Sequence, residues 1–259
     1  LSEIFDSFFE GLGVKPKKQT YHRGSDLEAA LEISLEETFR GTTKNLKINT
    51  YLRCDKCGGK GADLSAGVTA CATCGGQGEI REQSQTFFGS FYQNKVCRQC
   101  HGQGQIPNQV CVSCKGSGRR TAVREINVDI RPGIENNQII QIKGAGEAGE
   151  RGGAEGDLYI RIKVEPHPLF TREGDNLKTK KEIKIVDLLL GKKVDIPTLS
   201  GGKINLEIPV HFDLTQALRL KGEGMPHFGG LFRGDLLVHF IVKAPEKPGP
   251  KARKLLEDL

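Results

Sequence analysis

Cys54-Asp-Lys-Cys57-Gly-Gly59-Lys-Gly61 is the first of four copies of one pattern, Cys-x-x-Cys-x-Gly-x-Gly. The others read Cys71-Ala-Thr-Cys74-Gly-Gly76-Gln-Gly78, Cys97-Arg-Gln-Cys100-His-Gly102-Gln-Gly104 and Cys111-Val-Ser-Cys114-Lys-Gly116-Ser-Gly118. All 8 cysteines of the chain lie in these motifs. A Cys-x-x-Cys pair bends the backbone so that two thiolates face one tetrahedral ion, and two such pairs close a structural zinc site. The glycines that follow let the chain turn around the sulfurs without a Cβ penalty. Four pairs therefore predict two Zn2+ sites of four cysteines each. Spacing alone leaves open whether the pairs share ions sequentially or in a nested order. His101, beside Cys100, is not needed by eight thiolates and is expected to be a supporting or surface residue.

Other uses of such cysteines fit less well. A disulfide framework suits short secreted chains, whereas here the cysteines form one block in a long chain without a secretory signal. Thioredoxin-like redox chemistry needs one Cys-x-x-Cys at a helix start, not four glycine-flanked copies. Nucleic-acid-binding fingers would need a basic block. Residues 54–118 carry six Lys/Arg against four Asp/Glu, and four thiolates on a dication add two negative charges per site, so the metallated block is slightly acidic.

At 259 residues the chain exceeds one average domain. No apolar run approaches the length of a membrane span. The net charge of +6 is mild and dispersed and requires neither nucleic acid nor membrane as a partner. Thiols arranged for metal argue for a reducing compartment, the cytoplasm.

Outside the cysteines, apolar and polar residues alternate. Leu27, Ala29, Leu31, Ile33 and Leu35 share one face of a half-buried strand, a short helical turn spans Glu36 to Gly41, and Leu46 and Ile48 begin a further strand. Ile126, Val128 and Ile130 precede a Pro132-Gly133 turn, and Gly156-Asp157 launches Leu158, Ile160, Ile162 and Val164, so this half reads as antiparallel β. The chain then repeats. Gly156-Asp-Leu-Tyr-Ile and Ile142-Lys-Gly-Ala-Gly146 match Gly234-Asp-Leu-Leu-Val and Leu220-Lys-Gly-Glu-Gly224 at an offset of 78. Ile33, Leu35, Gly41 and Leu46 match Ile183, Ile185, Gly191 and Ile196 at an offset of 150. The chain therefore holds two copies of one β-domain, the first with an insertion of 72 residues. Between Ile196 and Ile204 the second copy has only a hairpin turn, so the zinc module grows from the matching hairpin tip between Leu46 and Ile126. A small glycine-rich module of this kind depends on metal to fold. No catalytic constellation stands out. Gly144-Ala-Gly146 and Gly222-Glu-Gly224 lack the residues of a phosphate loop and read as turns. His167, in Pro166-His-Pro168, reads as structural, and a binding module is expected rather than an enzyme.

The fourfold motif resembles the zinc-binding domain of the DnaJ family of co-chaperones, in the zinc-containing type I subclass. The resemblance implies nested pairing, with Cys54, Cys57, Cys111 and Cys114 on one zinc and Cys71, Cys74, Cys97 and Cys100 on the other. It implies two tandem β-sandwich domains. By it, residues 1–24 are the end of a Gly/Phe-rich linker, 25–165 the first domain interrupted by the zinc module at 51–122, and 166–259 the second domain with the start of a C-terminal helix. It implies binding of unfolded or misfolded polypeptides as an added strand, with a client side chain held by Leu27, Leu46, Ile48, Ile126 and Ile160. Alternation alone would make all five core residues. Delivery to a DnaK-type chaperone and homodimerisation through the C-terminal region follow from the same resemblance. The family's His-Pro-Asp triplet does not occur in this sequence, so a fragment without its J-domain is expected, one that does not stimulate the partner's ATPase. Thiol–disulfide oxidoreductase chemistry is the alternative.

Overall fold

The computed structural model describes residues 23–86, 89–209, 212–244 and 249. The apolar N-terminal patch of Ile4, Phe5, Phe8 and Phe9, and Leu255, Leu256 and Leu259 of the expected C-terminal helix, lie outside the described residues. The chain is mostly β. Strand β1 (Leu27–Ile33) leads into α1 (Leu35–Arg40) and β2 (Thr42–Arg53). The cysteine block holds β3 (Val68–Ala70), β4 (Glu79–Thr86), β5 (Gly89–Val96) and β6 (Gln105–Pro107). The first repeat closes with β7 (Arg119–Ile130), β8 (Ile139–Ile142) and β9 (Leu158–Val164). The second runs β10 (Phe170–Glu173), β11 (Asn176–Lys184), α2 (Ile185–Leu189), β12 (Val194–Pro197), β13 (Lys203–Leu206), β14 (Leu218–Leu220) and β15 (Leu236–Lys243). The sheets are two larger ones, β1-β9-β8 and β10-β11-β15-β14, and four two-stranded ribbons, β2-β7, β12-β13, β3-β6 and β4-β5.

The strand-to-helix switch falls one residue earlier than alternation suggests. Ser34 accepts a hydrogen bond from the Glu37 N–H at 3.2 Å, and the Glu37 carboxylate accepts one from the Ser34 N–H at 2.9 Å. This reciprocal cap satisfies two backbone donors and starts the helix at Leu35. Leu35 stays buried because the first helical turn continues the inward face of β1.

The duplication recurs bond for bond. Gly144 N–H donates to Asp157 Oδ1 at 2.8 Å, and Gly222 N–H donates to Asp235 Oδ1 at 2.9 Å. Asn45 Nδ2 donates to Asn127 Oδ1 at 2.9 Å, and Asn205 Nδ2 to Asp195 Oδ1 at 2.6 Å. The glycine motifs are therefore carboxylate-anchored turns, and the N–H donors Gly144 and Gly222 hold Asp157 and Asp235 below the usual carboxyl range. His167 is structural as expected: its Nδ1 accepts from the N–H groups of Leu169 and Phe170, both at 3.1 Å, and Nε2 faces Glu36 at 3.1 Å.

The antiparallel arrangement expected of the first half does not hold throughout, and the second repeat departs from it in the same way. Strands β11 and β15 are parallel, from Leu177↔Leu236 to Lys184↔Lys243. In the first repeat Leu27 N–H bonds to Asp157 O at 2.8 Å, and Glu165 N–H bonds to Ile33 O at 2.9 Å. Both contacts advance in the same sense, so β1 and β9 are parallel too. Turn residues reveal hairpins between sequence neighbours. The direction of two strands with several other elements between them in sequence has no such local signal.

The described residues pack as two compact units. One holds Lys47–Glu125, Gln141–Tyr159 and the described residues up to Ala29; the other holds Ala30–Leu46, Ile126–Ile140 and the described residues from Ile160 onward. These units and the sequence repeat cut the chain at different places. In the second unit Leu35 and Phe39 of α1 share one core with Phe170, Leu177, Ile196, Met225, Leu236 and Val238. Full burial of such a side chain is worth about 1.5–3 kcal/mol relative to exposure.

Candidate metal centres

The fold gathers the cysteines into two groups: Cys54, Cys57, Cys111 and Cys114, and Cys71, Cys74, Cys97 and Cys100. This is the nested grouping, not the sequential one. Within each group the sulfurs lie within 4.8 Å of one another. Cys54 Sγ is 4.0 Å from Cys111 Sγ, and Cys57 Sγ is 3.7 Å from Cys114 Sγ. In the other group Cys71–Cys97 and Cys74–Cys100 are separated by 3.8 and 3.7 Å. A tetrahedron of thiolates about 2.3 Å from a central ion has edges of about 3.8 Å. The spacing fits one ion per group and is far too long for disulfides, and all eight cysteines are free thiols.

The motif explains the grouping. The last glycine of each copy donates its N–H to the second cysteine's sulfur: Gly61 to Cys57 at 3.3 Å, Gly78 to Cys74 at 3.2 Å, Gly104 to Cys100 at 3.2 Å and Gly118 to Cys114 at 3.3 Å. Each loop also clasps its partner loop. Cys54 N–H bonds to Gly118 O at 2.9 Å while Cys111 N–H bonds to Gly61 O at 2.9 Å. Cys71 and Cys97 do the same with Gly104 and Gly78, at 2.8 and 2.9 Å. The clasp is so close that a Cβ on Gly61 would fall 2.4 Å from Gly116 O, and one on Gly104 2.2 Å from Gly76 O. Only glycine permits it, and this is why the pattern ends in glycine four times.

The residue after each second cysteine also takes a left-handed conformation. It is Gly58 and Gly75 in two copies but His101 and Lys115 in the others, at φ 52 and 51. His101 is exposed and completes no cluster.

The surroundings of the sulfurs favour a cation among them. Burial pushes Cys57 and Cys100 above the ordinary thiol range. Cys54 and Cys71 are desolvated as well, but backbone N–H donors, those of Cys57 and Cys74 first, bring them below it. Four thiolates cannot share so small a buried volume without a compensating charge, which a dication would supply. Among the described residues these are the groups able to hold a metal.

The first cluster sits at the end of the β2-β7 ribbon, where the Cys54 clasp directly follows Arg53. Residues 147–155 brace the junction. Ala148 N–H bonds to Tyr51 O at 2.7 Å, Arg119 stacks 4.4 Å over the Tyr51 ring, and Arg119 pairs with Glu150 at 2.8 Å. Arg151, itself left-handed at φ 48, donates its N–H to Ser117 O at 2.9 Å and its Nε to Gly116 O at 3.3 Å. This brace had no sequence signal beyond its charges.

Of the residues assigned to a client pocket, Leu27 on β1, Leu46 and Ile48 on β2 and Ile126 on β7 are half-buried. Ile160 is corrected. It is 0% exposed, and the alternation of β9 puts it on one buried row with Leu158 and Ile162. It is a core residue with no surface to offer a ligand. Among the described residues no helix is long and apolar enough to cross a membrane.

Comparison with known proteins agrees with this architecture. The family model described as the DnaJ C terminal domain matches residues 27–245. The chain is 38% identical over 261 aligned residues to a protein of Rickettsia akari named Chaperone protein DnaJ, covering 100% of this chain and 69% of the relative. Proteins of the same name from Rickettsia typhi and Ruminiclostridium cellulolyticum are 39% and 36% identical over the whole of this chain, which covers 70% and 69% of them. With its paired β-repeats and its two four-cysteine clusters, the chain belongs to the DnaJ chaperone family.

Proposed function

We propose that this chain binds unfolded polypeptide segments, keeps them from aggregating and passes them to a DnaK-type chaperone, with two Zn2+ ions folding the module carried by the first repeat. Four cysteine thiolates in tetrahedral array select a borderline-soft ion with no geometric demand of its own, and zinc is that ion. Cys54, Cys57, Cys111 and Cys114 hold one ion, and Cys71, Cys74, Cys97 and Cys100 the other.

The observation that carries the client reading is a difference between matched positions. Leu27, Leu46 and Ile48 are half-buried, whereas their counterparts in the second repeat, Leu177, Ile196 and Thr198, are 0%, 0% and 8% exposed. The first repeat leaves open what the second seals. Strand β1 stands at the edge of its sheet with no neighbour on its outer side among the described residues. An extended client segment gains main-chain hydrogen bonds at such an edge, and apolar side chains supply preference. Leu27, Leu46, Ile48 and Ile126 are the residues assigned to that role. Burying a client leucine is worth about 1.5–3 kcal/mol before ordering costs, so binding is weak and reversible. The compartment is the cytoplasm, and pairing of two copies through the C-terminal region belongs to the same reading. Oxidoreductase chemistry is disfavoured because all eight sulfurs are buried.

The test is binding of the zinc-loaded chain to a reduced, unfolded protein, alongside Ile48→Asp. Circular dichroism and melting establish that the variant is folded. Loss of about tenfold or more in affinity is expected. Equal affinity would mean that clients are held elsewhere. The chain alone is expected not to stimulate the ATPase of a DnaK-type partner, and measurable stimulation would refute that part.

A further inference from the structure

The second repeat carries Pro226-His-Phe-Gly-Gly-Leu-Phe-Arg233 between β14 and β15. Leu231 is 99% exposed, Phe232 82% and Phe228 40%. A single exposed apolar side chain is unremarkable, but three within five residues form a patch that water disfavours. The patch is also held rigidly. Pro226 and Arg233 pair across the base of the loop, His227 N–H bonds to Phe232 O at 2.9 Å, and Gly230 N–H bonds to His227 O at 3.0 Å. His227 Nδ1 lies 2.7 Å from Asp175 Oδ2, and the Arg233 guanidinium stacks 4.8 Å over the Phe39 ring. Gly133 fits against the base so closely that a Cβ there would fall 2.5 Å from Pro226 O. A loop fixed in this way loses little entropy on binding.

The repeat says what such a loop meets. At the offset of 78 it corresponds to residues 148–155, Ala-Gly-Glu-Arg-Gly-Gly-Ala-Glu. That loop is occupied by polypeptide: Arg151 and Glu150 grip the zinc-ligand module at Ser117, Gly116 and Arg119. In the second repeat no module is inserted, and the polar grip is replaced by Phe228, Leu231 and Phe232.

We propose that the 228–232 loop is a second client contact, an apolar finger that takes a short apolar stretch of an unfolded polypeptide independently of the first repeat's strand edge. It rests on the client-binding reading above. A lipid surface fits less well. The two basic side chains flanking the tip are engaged, His227 with Asp175 and Arg233 with Phe39, so the tip lacks the free cationic collar that anionic headgroups select.

The experiment uses the zinc-loaded chain and compares wild type, the double variant Leu231→Ser/Phe232→Ser, Ile48→Asp and the triple combination. Each is titrated with a reduced, unfolded protein and with a short apolar peptide. Both loop residues are almost fully exposed, so the melting temperature of the double variant should match wild type. The loop substitutions are expected to weaken binding by about tenfold, and to multiply with Ile48→Asp because the two contacts are separate. Unchanged affinity in the loop variant, while Ile48→Asp weakens binding, overturns the finger and leaves the client reading standing. Absence of binding in wild type overturns both. Flotation with anionic phospholipid vesicles that depends on Leu231 and Phe232 would reassign the loop to membranes. A change in sedimentation coefficient on their substitution would reassign it to a second copy of this chain.

Discussion

The two repeats share a hairpin that ends in different ways. In the second, β12 and β13 pair from Val194↔Leu206 to Pro197↔Lys203 and close through a short turn in which Thr198 N–H bonds to Gly202 O at 3.0 Å. In the first, the matching strands run on to Arg53 and Arg119, and the cysteine module begins where the turn would be. The Cys54 N–H to Gly118 O bond, at 2.9 Å, brings the two ends of the module together much as the Thr198 bond closes the turn. An insertion whose ends meet at hydrogen-bond distance asks nothing of the register below it. On the proposed reading the sheet and the module draw their stability from different sources, one from apolar burial and the other from a bound metal.

Metal removal should separate the two most sharply. Structural zinc typically contributes about 10–16 kcal/mol of apparent binding free energy at neutral pH. With a chelator, residues 54–118 are expected to lose amide protection while β10–β15 keep theirs, as read by hydrogen exchange. Simultaneous loss in both regions would break the comparison. Acid should act in the same direction. Binding needs thiolates, so falling pH returns protons to the sulfurs, and burial, which raises Cys57 and Cys100, favours their protonated forms. Metal affinity should fall by at least about tenfold per pH unit on acidification.

Within the module, a second contrast sharpens the role of the clasp. Gly104→Ala would place a Cβ 2.2 Å from Gly76 O and should weaken metal retention by the second cluster by roughly a hundredfold or more, for the backbone cannot retreat without parting the two loops. Gly75→Asn, also left-handed at φ 58 but with nothing within 4 Å, should be nearly neutral. His101 and Lys115 already occupy that place in two copies. Chelator competition reads both. Equal losses would show that left-handed backbone, and not the clasp, limits the site.

These contrasts also mark what the sequence discloses. The eight ligands, the two offsets and the place of the insertion are legible because spacing survives in the chain itself. Asn45–Asn127 and Asp195–Asn205 are the same pair seen twice. Which cysteine pairs meet is not legible in spacing, since the decision lies in backbone clasps between loops that stand 57 residues apart in one cluster and 26 in the other. Ile160 failed for another reason: alternation reports that a side chain leaves the solvent side, not whether a groove or a core receives it. Ser34-Leu-Glu-Glu37, by contrast, was a readable capping box, and alternation through Leu35 hid it because strand and helix both point that residue inward. The brace at Glu150 and Arg151 and its apolar counterpart at 228–232 sit in glycine-rich loops, where neither period applies.

The open and sealed positions offer a test of intermediate size. Ile196 is 0% exposed, so Ile196→Ala should cost about 2–5 kcal/mol. Leu46 occupies the same place in the first repeat but is half-buried, and Leu46→Ala should cost about 1 kcal/mol. Urea unfolding of the zinc-loaded chain measures both. Equal costs would remove the difference on which the client reading rests.

The smallest effect lies at the matched helices. Ser34 caps α1 in both directions, whereas its counterpart Lys184 gives α2 no side-chain cap. Ser34→Ala should therefore cost about 1 kcal/mol. Lys184→Ser should gain about 0.5 kcal/mol, because Asp187 already stands three residues on, where it can answer the new hydroxyl. Asp187 now pairs with Lys192 at 2.8 Å, so part of any gain is offset by loosening that exposed pair. If Lys184→Ser stabilises the second repeat, the two helices differ only by a missing cap. If it does not, the difference lies in what each helix covers: α1 seals Leu35 and Phe39 into a core, whereas α2 leaves Val186 46% and Leu189 65% exposed. A cap then has little to anchor, since short helices owe their stability to packing more than to their ends.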